Sequence, residues 1–246
     1  MVGQQPNNGR RTMDLLDILA FVWFCLCYFG YAWAVRYGPL KSRRGLVAAA
    51  NDRRVEWMKT ALRRDIRIMD AQLLTSLSSG NAFFASTSVL VLGGLTAMLG
   101  AADDVKDRLE QLPFVTDAPL VSWEFKILFL MGLMIMAFFA FAWAFRLTHY
   151  VGTMFGALPL QAEADSERAQ VHARKTAQLV GLSGRHLNAG LRTMYFAIAG
   201  LAWFVSPILF AAGCALVTVI VYRREYASEA YALLDPHEGT GAPPAR

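Results

Sequence analysis

The sequence predicts an all-α integral membrane protein: four transmembrane helices in a bundle, the second and fourth extended into the cytoplasm as long amphipathic helices. Three observations predict it. Four apolar runs are each long enough to cross a bilayer, since about 20 residues rising 1.5 Å apiece span a hydrocarbon core of about 30 Å. Only 17% of the 246 residues are charged and 55% are hydrophobic, with a mean hydropathy of +0.34, whereas soluble domains carry about 25% charge. The polar stretches between the runs keep apolar residues at helical spacing. The same composition excludes disorder and collagen, and three cysteines are too few for a disulfide framework.

The spans fall at about residues 15–35, 82–102, 125–145 and 194–222. They need helices, because backbone polar groups in lipid must be satisfied within their own segment. The first run follows Arg10 and Arg11 and ends on a cleavage-like Ala32-Trp33-Ala34. Its apolar part is nevertheless too long for a signal peptide, Asp14 and Asp17 precede or enter it, and Arg36 follows at once. A retained helix is expected, with Met13 as an alternative start. Lys126 enters the third run where it can snorkel to the interface. The fourth run is unusually long and contains Pro207, which predicts a kink, with Ser206 placed to satisfy a freed carbonyl. Cys25, Cys27 and Cys214 all lie in apolar runs as small hydrophobes. Residues 1–12 are expected to be a flexible tail and residues 231–246 a Gly/Pro-rich one, leaving a single domain over 13–230.

The net charge of +5 is unevenly placed. Residues 36–81 hold ten bases and four acids, residues 103–124 two bases and six acids, and residues 146–192 six bases and three acids. With four spans, the first and third connections share a side and carry sixteen bases, against seven in the two tails and the second connection. The positive-inside rule then places connections 36–81 and 146–192 in the cytoplasm and both termini outside. A multi-pass protein of the bacterial inner membrane is the expectation, and the basic balance is a topology signal, not a sign of nucleic acid.

The two basic connections read as helices. Val55, Met58, Leu62, Met69, Leu73 and Leu77, with Ile66 close by, form one stripe, and Asn51 suits an N-cap with Asp52 in the first turn. No proline intervenes, which predicts one helix of about 50 residues running into the second span. After Pro159, acids Glu163, Asp165 and Glu167 open a second such helix, which Gly181, Gly184 and Gly190 are expected to bend.

Segments RDIRIMDAQLL, NAFFAST, FAWAFRLTHY, NAGLRTMYFAIAGLAWFVSP and VYRREYASEA together resemble the domain of unknown function family 599. The resemblance covers roughly residues 15–229. It implies an integral membrane protein of several spans, found in bacteria and plants, without an assigned activity, and it carries over no catalytic residues.

No phosphate loop, zinc motif or nucleophile elbow occurs. The candidate site is a polar collar at the cytoplasmic membrane edge: Arg67, Asp70, Gln72 and Asn81 entering the second span, Arg146 and His149 ending the third, and His186, Asn188, Arg192 and Tyr195 entering the fourth. Polar groups at that depth are costly unless paired. They either fix helix register, with Asp70 paired to Arg146 or Arg192, or line a cavity. No cofactor or metal is expected. Haem through His149 and His186 is geometrically conceivable but unsupported; bound lipid is expected. Small residues in the second span (Ser86, Thr87, Ser88, Gly93, Gly94) and the fourth (Gly200, Ala211, Ala212, Gly213, Ala215) suit close helix packing. The expected function is non-enzymatic: assembly in the membrane as a homo-oligomer or as an accessory subunit of a larger complex. The alternative is an ion or small-solute channel or transporter using the collar. An enzyme acting on lipid or quinone has least support.

Overall fold

The computed structural model describes residues 15–38, 40, 43–111 and 119–235. Residues 1–12 and most of the expected C-terminal tail lie outside these. The described residues are helical, without strands: α1 Leu15–Arg36, α2 Leu46–Leu62, α3 Ile68–Gly100, α4 Ala102–Glu110, α5 Leu120–Gly156, α6 Glu167–Leu201, α7 Pro207–Tyr226 and α8 Glu229–Leu234. Four helical segments are long and apolar enough to cross a membrane: Leu15–Val35, Ile68–Gly100, Leu120–Gly156 and Pro207–Leu234. This is a multi-pass membrane protein. The first part of the expected C-terminal tail is helix α8, tied to α2 where Arg53 Nε donates to the Leu234 carbonyl at 3.0 Å.

Helix α5 is the central element, with α3 along one side and α6 along the other. Both run antiparallel to it. On α6, Gly200 lies against Leu130 and Gly190 against Phe141, and the His172 Nε2 atom is 2.8 Å from the Met154 carbonyl. Glycine is required at Gly190, where an added Cβ would stand 2.5 Å from the Phe141 ring. The glycines expected to bend α6 are sites of close packing. Gly181 faces Asn51, Gly184 faces Arg54, and the helix is continuous across all three.

Two expectations about helix continuity are corrected. The helix of about 50 residues is broken at residues 63–67. Its stripe divides there. Met58 and Leu62 are buried against Ala169, Ala173 and Ala177 of α6, whereas Ile66, Met69, Leu73 and Leu77 are exposed. Arg67 makes the break possible by taking up orphaned carbonyls, as described below. Asn51 is not an N-cap but lies inside α2, accepting from Arg54 at 2.6 Å. Helix α2 starts after Gly45, and Glu225 accepts from the Val47 N–H at 3.1 Å, supplying a cap from α7.

The fourth apolar run is not one kinked helix. It divides between the end of α6 and most of α7, joined by a 3₁₀ turn at Ala202–Phe204. Pro207 occupies the first turn of α7, where its missing N–H costs nothing, and Ser206 caps that helix by accepting from the Ile208 N–H at 3.2 Å. The chain therefore reverses direction. Helix α7 lies parallel to α1: Trp23 donates to the Ala211 carbonyl at 3.1 Å, Phe24 stacks on Phe210, and Tyr31 shares a cavity with Val221 and Glu225. Leu15 and Leu234 thus lie at opposite ends of the bundle.

Two cores result. One is aromatic: Phe24, Tyr28, Trp123, Phe141, Phe196, Trp203 and Phe210 from α1, α5, α6, α7 and the turn before α7. The other, under α2, is mostly aliphatic, with Ala61, Ala164, Ala169, Ala173 and Ala177 around Met58, Leu62 and Phe155. Small side chains there let α2 lie close on α6.

Candidate functional site

The ten collar residues do not form one ring. Arg67 sits at the α2–α3 break. Its guanidinium donates to the carbonyls of Ala61 and Pro159 at 3.0 and 2.6 Å and of Leu158 at 3.2 Å, closing the ends of both α2 and α5. Asp70 is fully buried beside it. It accepts from Trp57 at 2.7 Å and pairs with Arg64, not with Arg146 or Arg192 as expected. These two residues hold the α2–α3 break in place.

Asn81 forms a separate buried group with two hydroxyls that the sequence did not single out. Its amide donates to Thr148 and Ser183 at 3.0 and 3.3 Å, and both hydroxyls reach the Ala144 carbonyl. This triad ties α3, α5 and α6 together. Gln72, Arg146 and His149 are exposed. Arg146 donates to Tyr150 at 3.0 Å, and the His149 ring lies against Phe145. His186 lies against Trp143 instead, so the two histidines are held by different aromatic partners. Among the described residues no group of three or more His, Cys, Asp or Glu side chains is placed to hold a metal ion.

The remaining collar residues, Asn188, Arg192 and Tyr195, line a cavity of about 340 Å³. The reversal before α7 completes it with Arg224 and Glu225, α1 supplies Tyr31, and α6 adds Arg185. Arg192 stands 5.8 Å from the ring centres of both Tyr28 and Tyr31, and its buried Nε has no hydrogen-bond partner. Arg224 donates to the Tyr195 hydroxyl at 2.9 Å and lies over that ring. Nearby, burial first and then the Arg185 charge lower the Arg54 pKa from its usual value. Positive charge is concentrated here.

A second buried charge cluster was missed altogether. Lys126 does not snorkel. It is 4% exposed, 3.3 Å from the Asp17 carboxylate and 3.2 Å from the Trp203 carbonyl to which it donates. Asp17 also accepts from Trp203 Nε1 at 2.7 Å and from Ser122 at 3.0 Å. One carboxylate thus joins α1, α5 and the turn before α7. The available signal was a lone acid and a lone base, each close to the same end of an apolar run.

The family model described as a protein of unknown function, DUF599, matches residues 19–230. No curated protein and no solved structure matches the chain.

Proposed function

The chain belongs to the DUF599 family of unknown function, and we propose that it acts by assembly in the membrane, as a homo-oligomer or as a non-enzymatic subunit of a larger complex. The observation that carries this reading is the open face of α3. That helix packs along α5, yet Gly93 and Gly94 have nothing within 4 Å of where a Cβ would stand. Beside them, Val91, Leu95, Leu130 and Ile198 line an apolar groove of about 240 Å³ between α3 and α6. Small residues permit close approach of another helix in lipid, where packing rather than hydrophobicity drives association. The channel reading has less support, since the buried Asp17–Lys126 pair is closed by hydrogen bonds to Ser122 and Trp203.

The orientation follows from charge. Seventeen of the 20 described lysines and arginines fall in residues 36–67, 146–192 and 223–235, which the helix path brings to one end of the bundle. The positive-inside rule makes that end cytoplasmic in a bacterial inner membrane. The start of α1 is then on the outer side and the end of α7 on the cytoplasmic side.

Gly94→Leu should reduce the oligomeric mass, or release a co-purifying subunit, when full-length protein is extracted gently and weighed by light scattering. A wild-type protein that is monomeric and brings no subunit with it would overturn the reading.

A further inference from the structure

Arg185, Arg192 and Arg224 surround one cavity, and among the described residues none of them is in an ion pair. The carboxylate that lines the cavity, Glu225, is engaged by the Val47 N–H. A larger groove of about 1010 Å³ lies over α2, but its bases Arg44 and Arg63 are paired with Asp52 and Asp165, so its charge is largely cancelled. The smaller cavity keeps a positive excess.

Depth sharpens the point. Gly190 is level with Phe141 and Gly200 with Leu130, which puts Arg192 near residue 139 of α5. That is about 10 Å further along the bundle than Arg146, at 1.5 Å per residue. A guanidinium at that depth is costly without a counter-charge, and two tyrosine faces compensate only part of it. Apolar Val35, Leu46 and Val221 form the rest of the wall.

We propose that this cavity binds the phosphate of an anionic lipid headgroup. Arg192 supplies the deep donor, including the Nε that lacks a partner, and Arg185 and Arg224 close around the phosphate oxygens. Guanidinium–phosphate pairs are charge-assisted and geometrically matched. The volume suits a headgroup, and the apolar wall suits the first carbons of its acyl chains. The assignment does not rest on the oligomer reading.

The test uses the full-length protein in detergent, titrated with phosphatidylglycerol, with phosphatidylcholine, and with inorganic phosphate alone, read by binding in native mass spectrometry and by thermal unfolding. Phosphatidylglycerol should bind and stabilise, and phosphatidylcholine should not. Arg192→Gln should weaken phosphatidylglycerol binding about tenfold or more, the loss of one charge-assisted contact. Arg185 is exposed, so Arg185→Gln tests the same site without disturbing the fold and should weaken binding severalfold. Arg168→Gln, on the exposed start of α6, should match wild type. Equal responses to the two lipids, or wild-type affinity in both Arg192→Gln and Arg185→Gln, would overturn the proposal. So would a full response to inorganic phosphate alone, which would assign the site to a soluble phosphate compound.

Discussion

At the end of the bundle where α1 begins, Lys126 and Asp17 are sealed against each other, Trp203 and Ser122. At the end where α1 finishes, Arg185, Arg192 and Arg224 stand around open space, and the one carboxylate among them is committed to α2. Each end places at least one charge where lipid or packed rings would reject it alone, Lys126 with Asp17 at the first and Arg192 at the second. The first answers with an internal counter-ion, which adds nothing for a ligand to complete. The second leaves its demand unmet by the chain itself. A buried charge is therefore informative through its neighbours: a closed pair argues for architecture, an unpaired cluster around a cavity for recognition.

Three cations separate these cases, and their removal should have graded effects. Lys126→Met strands the buried Asp17 carboxylate and should cost about 3–5 kcal/mol. The single variant should lose its monodisperse peak in size-exclusion chromatography, and adding Asp17→Asn should restore most of it. If the double variant is no better than the single one, the pair is not a closed unit. Arg67→Ala removes a guanidinium spent on carbonyls and should cost about 1.5–3 kcal/mol. Its signature should be local, with faster tryptic cleavage at Arg63 and Arg64 under native conditions. Arg185→Gln should change stability by no more than about 0.5 kcal/mol, measured by thermal unfolding without added lipid, while lowering the response to phosphatidylglycerol. A large loss of intrinsic stability would put Arg185 with the architectural charges.

The first three apolar spans, the helical character of the basic connections and the family were legible because each rests on periodicity or composition over many residues. The break at residues 63–67 was not. Nothing in RRDIR forbids a helix, and the interruption depends on Arg67 reaching the carbonyls of Leu158 and Pro159, which are remote in sequence. The reversal at Ala202–Phe204 was obscured for a related reason. Pro207 inside a long apolar run reads equally as a kink or as the first turn of a new helix, and only the packing of Phe210 on Phe24 and Trp203 decides. That single ambiguity displaced the part of the cavity wall that α7 supplies. Arg224 and Glu225 were assigned to the far end of the bundle, while Gln72, Arg146 and His149, at a plausible depth, turned out to face outward. Depth along a helix is readable from sequence; azimuth across three packed helices is much less so.

The reversal between α6 and α7 also constrains how the protein is made. The second half of α6 carries Arg185 and Arg192, which weigh against its entering a bilayer unaided. The turn that follows, residues 202–206, holds no charged residue, and α7 is apolar enough to cross by itself. The last two helices are thus suited to insert as a single hairpin, the apolar arm carrying the basic arm. The cavity that needs both arms would come into being only when the two insert together, after α1 to α5 are in place.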